Sequence, residues 1–307
     1  MESTPVQHLI RAYEGSRRRR GYAASSAHRN GHYLRDFAQW AGNQEPGQIT
    51  APQIELGFIA EWCDQFEQRN GRAPKPRTVR NLIGQLRVLY AFADKFDLLL
   101  DTDGRPARNP MTKIDPPKVK RQIKEWLTPD EYERLLAAAN TDDERFLIAW
   151  LGMTAMRISE AGSVTWRDVD MASHPGSILI RESKTDGGVR RITMISELRA
   201  HLQLRLVRQR ERGLADPDCP VLCTKNRNGI QEQQANRTIK RVAKRAGIAK
   251  TVSCHALRRS WAMHAVTLMS IESVAAHLGH ADSSTTAAHY ARVQHAQVEA
   301  EVMRAFG

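Results

Sequence analysis

The chain has few cysteines and no long apolar segment. Four of its 307 residues are cysteines, namely Cys63, Cys219, Cys223 and Cys254. They are too few and too scattered for a disulfide framework, and a C-x3-C pair alone is a poor zinc signature. No stretch approaches the roughly 20 apolar residues of a membrane span, and the chain does not open with an apolar run of signal-peptide length. We therefore expect a cytoplasmic protein with reduced thiols that does not enter a membrane.

Motifs for nucleotide hydrolysis and for metal binding are also missing. There is no Gly-x-x-x-x-Gly-Lys-Ser/Thr loop to hold the phosphates of a nucleotide. Six histidines lie in the last part of the chain: His255, His264, His277, His280, His289 and His295. None of these six belongs to an H-x-x-x-H pair, and no C-x-x-C pair accompanies them. We therefore predict neither ATP hydrolysis nor a metal cofactor.

Positive charge is what the chain has in excess. Lys and Arg number 46 against 34 Asp and Glu, which gives a net charge of +12. Residues 1–122 carry 20 basic and 13 acidic side chains, and residues 123–307 carry 26 and 21, so both halves are basic. A surplus of this kind attracts a polyanion. The composition therefore favours nucleic acid as the partner and a nucleoid-associated protein.

Length and residue pattern divide the chain into two domains joined by a basic segment. A chain of 307 residues is longer than most single cores. Residues 1–104 carry apolar side chains at helical spacing and are predicted to be an entirely helical domain. Residues 105–124 hold four prolines among lysines and arginines and are predicted to be a linker. Residues 125–307 form the second domain, which opens at Thr128 with the residue pattern of a capping box.

The second domain is predicted to be mainly helical with a small antiparallel sheet. Residues 177–181 and 189–194 alternate apolar and polar side chains on either side of a Gly-Gly turn. This pattern indicates a β-hairpin with Lys184 near its turn. Residues 196–212 and 232–246 have helical patterns, and each is followed by a glycine that ends the predicted helix.

Two groups of basic residues are candidates for contact with DNA phosphates. The first lies in the predicted linker and consists of Lys118, Lys120 and Arg121. The second lies on the predicted helix of residues 232–246, mostly away from its apolar face, and consists of Arg237, Arg241, Lys244 and Arg245. A solvated charged face and a DNA-facing stripe explain the second group equally well.

Five separated motifs carry the most specific chemical signal. They are Thr154-Ala-Met-Arg157-Ile-Ser-Glu160, Ser183-Lys184-Thr185, His255-Ala-Leu-Arg258, Leu278-Gly-His280 and Tyr290. Fixed cationic groups stabilise the charge of a phosphorane better than water does, and a guanidinium binds two phosphate oxygens at once. Glu160 follows Arg157 by three residues, so on a helix its carboxylate can orient that guanidinium. Taken singly, each motif also fits an ordinary structural role, such as a surface ion pair or a core histidine.

In order, spacing and flanking residues these motifs resemble the tyrosine recombinases, the phage integrase family. The resemblance is strongest over residues 128–293 and only architectural before them. It implies a two-domain clamp around duplex DNA, with a helical core-binding domain and a mainly helical catalytic domain that carries the small sheet. It also implies site-specific recombination through a 3′-phosphotyrosine intermediate, without metal or ATP. The alternatives are strand relaxation of the type IB topoisomerase kind and a non-catalytic DNA-binding protein of the same fold.

The resemblance also assigns a role to each motif. Tyr290 would be the nucleophile, and Lys184 would protonate the leaving oxygen as general acid. His255 would assist removal of the proton from Tyr290. The phosphate oxygens would be held by Arg157, Arg258 and His280, with Glu160 supporting the first arginine.

By the same resemblance the working unit is a tetramer on two specific sites in double-stranded DNA, with DNA-bending proteins as accessory partners. The apolar stripe of Val298, Val302 and Phe306 predicts a C-terminal tail helix. That helix would pack either on its own domain or on a neighbouring protomer. The two arrangements are equally compatible with the stripe.

One spacing departs from close members of that family. Ten positions separate His280 from Tyr290, where close members have nine. One residue rotates a regular helix by roughly 100°, so the nucleophile would lose its aim if both ends lay on one helix. We expect the turn of residues 281–284 to absorb the extra residue. A bulge at residues 287–289 is the alternative; it would turn His289 instead of Tyr290 toward the arginines and would indicate an active site that is weakened or that forms only on DNA.

Overall fold

The computed structural model of the chain describes residues 3–21, 24–119, 125–181 and 189–279, with the backbone alone for residues 24–30. The chain divides into two compact units, Met1–Gln122 and Ile123–Gly307. The division falls inside the basic segment that the sequence predicts to be a linker.

Several sequence predictions lie outside the described residues. These are the roles of Lys120, Arg121, Lys184, His280 and Tyr290, the turn of residues 281–284 and the tail helix. Arg157, Glu160, His255 and Arg258 lie within them, as do Lys118 and the four basic residues predicted on one helix.

The first unit is built from four α-helices. They are α1 (Pro5–Arg19), α2 (Ala24–Ala41), α3 (Ala60–Asn70) and α4 (Pro76–Lys95), and a π-helical segment, Gln53–Ile59, leads directly into α3. The apolar faces of these elements enclose one core in which Phe37 and Tyr90 are fully buried. A capping box precedes the π-helical segment, since the amide of Thr50 donates to Gln53 Oε1 at 2.8 Å and the amide of Gln53 donates to the Thr50 hydroxyl at 3.4 Å.

The prediction that residues 1–104 are entirely helical is wrong after Lys95. The chain leaves α4 there and reverses, and Leu100 pairs with Pro106 in an isolated β-bridge. The cause is local, because the Asp101 carboxylate accepts hydrogen bonds from the amides of residues 103 and 105 and so stabilises a turn. Beyond this turn Met111 and Ile114 are buried in the core of the first unit, so the beginning of the predicted linker packs on that unit.

The second unit contains seven described α-helices and three strands. The helices are α5 (Pro129–Ala137), α6 (Asp142–Thr154), α7 (Ile158–Ser163), α8 (Ser196–Glu211), α9 (Glu232–Arg245), α10 (Cys254–Ala265) and α11 (Ile271–Leu278). The strands are β1 (Val169–Asp170), β2 (Gly176–Ile180) and β3 (Arg190–Met194). The predicted helices of residues 196–212 and 232–246 are confirmed to within one residue. Gly213 and Gly247, which follow them, have positive φ angles of 68° and 65°.

The strands form one antiparallel sheet in the order β1-β2-β3, which confirms the predicted hairpin. Ile178 on β2 pairs with Ile192 on β3, and both are buried. Side chains alternate along a strand, so Arg190 shares the inward face of β3 with Ile192. The sequence did not predict β1, because a strand of two residues carries no recognisable alternation.

Helix α6 is the central element of the second unit and contacts α5, α7, α8, α9 and α10. Its first turn carries three acidic residues, and carboxylates at a helix N-terminus are favourable. Arginines from α8 and α9 bind all three. The pairs are Asp142 with Arg208, Asp143 with Arg205 and Arg212, and Glu144 with Arg241 and Arg245. Ion pairs therefore hold three helices together at the N-terminal end of α6.

Helix α5 begins with the predicted capping box. The Thr128 side chain accepts from the amide of Glu131 at 3.2 Å, and Glu131 accepts from the amide of Thr128 at 2.8 Å. Lys250 adds an ion pair to the same carboxylate at 2.6 Å, which ties the start of α5 to the loop before α10.

Replacing Thr128 with alanine removes the acceptor for an N-terminal amide of α5. We expect the free energy of unfolding to fall by about 1 kcal/mol, measured by urea denaturation. Thr193→Ala is the matched control, because residue 193 lies on the exposed face of β3, and it should change stability by less than about 0.5 kcal/mol. Equal losses in both variants would contradict a stabilising role for the cap.

Candidate active site

The sequence motif suggested that Arg157 lies inside a helix. In the structure it lies between two helices. Helix α6 ends at Thr154, the next residue Ala155 turns the chain sharply with a φ of 51°, and Arg157 is the residue that precedes α7. Its backbone amide donates to Glu160 Oε2 at 2.9 Å, and its Nη1 donates to Glu160 Oε1 at 2.7 Å. The expected contact between the two side chains is therefore present, although it closes the first turn of α7 instead of running along a helix face.

Arg258 lies on α10 and is only 6% exposed. Its Nη1 donates to the carbonyl oxygen of Ala155 at 2.6 Å, and its Nη2 donates to that of Leu278 at 2.6 Å. His255 lies one turn earlier on the same helix and is exposed. The guanidinium therefore links the end of α6 to the end of α11.

Three arginines converge on the C-terminal end of α11. Arg190 Nε donates to the carbonyl of residue 277 at 2.6 Å, Arg258 Nη2 to that of residue 278, and Arg157 Nη2 to that of residue 279 at 3.4 Å. The last carbonyls of a helix lack partners within the helix and form the negative end of its dipole. Guanidinium groups are suited to this position. The structure thus brings Arg157 and Arg258, which are far apart in sequence, to the segment that leads directly into His280.

Arg190 is the member of this group that sequence reasoning missed. It belongs to no motif, and its neighbour Arg191 is exposed and looks the same in the sequence. The available signal was the alternation along β3, which places residue 190 on the inward face together with the apolar Ile192. A cation at an inward position of a strand needs a buried partner, and here the partner is Glu160 at 2.9 Å.

Glu160 is an ionised carboxylate although it is only 2% exposed. Burial by itself would raise its pKa, but hydrogen bonds from Arg190 and from the amide and side chain of Arg157 outweigh burial and hold the pKa below its usual range. Both carboxylate oxygens are thus used, and the negative charge offsets the two guanidinium groups beside it. The carboxylate of Glu160 therefore holds both guanidinium groups in place.

His277, on the last turn of α11, contacts the end of α6. Its ring stacks on Trp261 with centroids 4.0 Å apart, and Nε2 lies 3.1 Å from the carbonyl oxygen of Thr154. Burial lowers the pKa of this imidazole; the Thr154 carbonyl opposes that shift, and the charges of Arg190 and Arg258 add to it. A neutral ring that donates to Thr154 ties the last turn of α11 to the end of α6.

The basic group predicted on α9 divides into two kinds of residue. Arg241 Nη2 donates to Glu144 at 2.9 Å, and Arg245 binds the same carboxylate while its Nε donates to the carbonyl of residue 138 at 3.1 Å. These two arginines therefore join α9 to α6. All four residues, Arg237, Arg241, Lys244 and Arg245, are exposed on this helix, and Lys118 is exposed in the first unit.

The described ranges contain neither a cluster of metal ligands nor a helix suited to crossing a membrane. Within residues 3–21, 24–119, 125–181 and 189–279, no three His, Cys, Asp or Glu side chains cluster closely enough to hold a metal ion. Over the same part of the chain, no helix combines the length and the apolar composition needed to cross a bilayer.

The pKa of Glu160 leads to a prediction about stability. Because its pKa in the folded state is below its value of about 4.3 in the unfolded chain, its contribution is present above that pH and is lost as the pH falls through the folded value. Glu160→Gln should therefore lower the free energy of unfolding by about 3 kcal/mol at pH 7, with a smaller difference from wild type at pH 3. Urea denaturation across this range measures it. The exposed Glu133→Gln is the control, and a pH-independent loss for Glu160→Gln would contradict the assignment.

Proteins that are similar to this chain in sequence include tyrosine recombinases. A tyrosine recombinase XerD from Neisseria meningitidis is 29% identical over 262 residues, which cover 83% of this chain and 84% of that protein. A tyrosine recombinase XerC from Xanthomonas campestris is 28% identical over 272 residues, or 85% of this chain and 77% of that protein.

Solved structures share the fold at low sequence identity. The XerH site-specific recombinase bound to a palindromic difH substrate matches with a TM-score of 0.72 and 16% identity, covering 97% of this chain and 84% of that one. A lambda integrase tetramer bound to a Holliday junction matches with a TM-score of 0.69 and 17% identity, covering 93% and 78%. The mainly helical architecture with a small antiparallel sheet is therefore that of the tyrosine recombinases.

The model of the phage integrase family matches residues 125–297, which contain every catalytic residue predicted from the sequence. That range is more than half of the chain, and it includes the three arginines at the end of α11. The chain belongs to the phage integrase family of tyrosine recombinases.

Proposed function

We propose that this chain is a site-specific DNA recombinase that cleaves and rejoins strands through a 3′-phosphotyrosine on Tyr290. The observation that carries the proposal is the convergence of Arg157 and Arg258 on the backbone just before His280. Two guanidinium groups fixed near one another can bind the non-bridging oxygens of one phosphate and stabilise the charge that develops on them. Arg157 is 26% exposed, so a phosphate approaching from solvent can reach it.

The proposed reaction conserves the number of phosphoester bonds. The phenolic oxygen of Tyr290 attacks the scissile phosphorus as its proton passes to His255. The bond from phosphorus to the 5′ oxygen breaks, and Lys184 gives that oxygen a proton. The 5′ hydroxyl of a partner strand then attacks the phosphotyrosine and gives its proton to Lys184. The bond from phosphorus to Tyr290 breaks, and His255 returns a proton to the phenolate. Because the covalent link preserves the energy of the bond, the reaction requires neither ATP nor a metal.

Duplex DNA is the proposed substrate, and a tetramer on two DNA sites is the proposed assembly. The XerH relative was solved on its difH DNA and lambda integrase was solved as a tetramer on a Holliday junction, and both share this fold. The net charge of +12 supports attraction to DNA. We assign phosphate contacts to Lys118, Lys120, Arg121, Arg237 and Lys244. Arg241 and Arg245 are assigned to the contact between α6 and α9, because Glu144 engages both guanidinium groups.

The test begins by trapping the covalent intermediate on DNA of unknown sequence. Purified protein is incubated with sheared genomic DNA from the organism that encodes it, denatured with detergent, and the DNA that remains attached is sequenced. A duplex carrying the recovered site and a nick beside the scissile phosphate then serves as substrate. Exchange between two marked duplexes supports the recombinase, whereas relaxation of supercoiled DNA without exchange indicates topoisomerase-like activity, and binding without an adduct indicates a non-catalytic protein.

Tyr290→Phe should abolish the adduct and leave affinity for the site unchanged, because only the nucleophilic hydroxyl is removed. Peptide mass spectrometry of the wild-type adduct should locate the nucleotide on residue 290. Tyr132→Phe is the matched control, since the Tyr132 hydroxyl is buried without a hydrogen-bond partner, and it should cleave at the wild-type rate. An adduct that persists in Tyr290→Phe would refute the assignment of the nucleophile.

Lys184→Ala should slow cleavage of ordinary DNA by about 10²-fold or more. On a duplex with sulfur at the 5′ bridging position the same variant should cleave at nearly the wild-type rate, because a thiolate leaves without a proton. Single-turnover cleavage of the two substrates by one preparation provides an internal control. Equal losses on both would show that Lys184 binds phosphate and is not the acid.

A further inference from the structure

We propose that Arg190 is a positioning residue that fixes the phosphate-binding Arg157 relative to the segment that carries His280. The inference rests on the proposed function, because it assigns Arg190 a part in the same strand-cleavage reaction. Arg190 touches no substrate in this scheme. It acts through Glu160 and through the backbone at the end of α11.

The contacts of Arg190 join two elements that carry proposed catalytic residues. Its Nη2 donates to Glu160 Oε2 at 2.9 Å, which connects β3 to the start of α7 beside Arg157. Its Nε donates to the carbonyl of His277 at 2.6 Å, which connects β3 to the last turn of α11. The side chain is only 8% exposed. One guanidinium therefore sets the distance between Arg157 and the residues that precede His280.

Arg190 holds Glu160 in one orientation. Glu160 Oε1 accepts from Arg157 Nη1, while Oε2 accepts both from the Arg157 amide and from Arg190 Nη2. Without Arg190 the second oxygen would be held by a backbone amide alone, and the carboxylate could rotate about its terminal bond. The Arg157 guanidinium would then be paired with a carboxylate whose orientation is no longer fixed, although Arg157 itself is not substituted.

The backbone of residue 279 lies directly against the same guanidinium. Gly279 ends α11 with a φ of 64°, and a Cβ atom built on it would lie 2.7 Å from Arg190 Nη1 and 3.1 Å from its Cζ. Only a residue without a side chain leaves room for this approach. The guanidinium thus packs on the main chain immediately before residue 280, in addition to the hydrogen bond to residue 277.

The geometry requires arginine rather than any cation. The Nε and Nη2 donors hold fixed positions on one rigid plane and reach the residue 277 carbonyl and Glu160 at the same time. The three donors of a lysine ammonium radiate from a single atom at the end of a flexible stem. Lysine at position 190 would keep the charge but reach only one of the two acceptors.

A competing explanation is that Arg190 acts through the β-hairpin, since β3 is the strand that follows Lys184. Disturbing β3 would then impair delivery of the leaving-group proton. The two explanations differ on a substrate with sulfur at the 5′ bridging position, which does not need that proton. A loss of cleavage rate caused by displaced arginines persists on the sulfur substrate, whereas a loss caused by impaired proton delivery from Lys184 does not appear on it.

The experiment compares Arg190→Met, Arg190→Lys and Arg191→Met in the full chain. Arg191 is the matched control, because it is the next residue on the same strand, faces the exposed side and contacts only Ser177 among the bonds described, at 3.2 Å. The probe is the nicked duplex recovered by trapping, made with oxygen and with sulfur at the 5′ bridging position. Binding affinity, the single-turnover rate constant and the fraction of active protein are measured separately, below the unfolding temperature of each variant.

We expect both Arg190 variants to lower the rate constant by about 10²-fold on both substrates, as displacement of a catalytic group by about 1 Å would, with affinity changed less than about threefold. Arg191→Met should stay within about twofold of wild type. A merely structural role would reduce the active fraction while the remaining protein keeps its rate constant, and that result would overturn the proposal. A loss that vanishes on the sulfur substrate would overturn it too, and would assign Arg190 to the hairpin.

The failure of this inference is distinguishable from that of the proposed function. If the wild-type chain forms an adduct and the Arg190 variants form it equally fast, only the role of Arg190 is refuted. If the wild-type chain forms no adduct with genomic DNA, the recombinase function falls and the role of Arg190 falls with it. Rescue of cleavage by Arg190→Lys to the wild-type rate would show that charge alone suffices and would refute the two-acceptor argument.

Discussion

The buried carboxylate of Glu160 is the interaction around which the candidate active site is organised. Arginines repel one another unless a negative group lies between them, and Glu160 binds Arg157, which precedes its own helix, and Arg190 from the sheet. Its pKa is held low by those same hydrogen bonds, so the carboxylate stays charged at neutral pH despite its burial. Breaking such a pair by removing one partner is costly because it leaves an uncompensated charge in the interior. The sheet, α7 and α11 are thereby fixed at one point.

The parts of the fold that the sequence predicted correctly depend on interactions between near neighbours in the chain. The capping box at Thr128 needs only Glu131, the hairpin needs an alternating pattern around a turn, and the ends of α8 and α9 need a glycine that adopts positive φ. Each of these is complete within a few residues. A short window of sequence is therefore sufficient to identify it.

The features that the sequence did not predict depend on contacts between distant segments. Arg190 and Arg191 are equivalent in composition, and only the packing of β3 against α11 makes one of them part of the site. Arg241 and Arg245 look like a stripe for DNA until Glu144, about a hundred residues earlier, is seen to bind both. The turn after Lys95 was missed for a different reason. Its apolar residues fit a helical pattern, but the Asp101 carboxylate accepts hydrogen bonds from backbone amides and stabilises a turn instead. The motifs identified which residues carry the chemistry, but they did not indicate how the arginines are held.

The carbonyl groups at the end of α11 have a further consequence for how the protein meets DNA. They accept hydrogen bonds from Arg157, Arg190 and Arg258 and present the negative end of the helix dipole to these guanidinium groups. Partial charges on carbonyl groups offset only part of the positive charge of these arginines, so the site still attracts a phosphate. Salt dependence of DNA affinity should then arise from cations released by the duplex at the exposed lysines and arginines. Hydrogen bonds within the chain therefore fix the arrangement of the arginines, while the exposed lysines and arginines determine how DNA affinity changes with ionic strength.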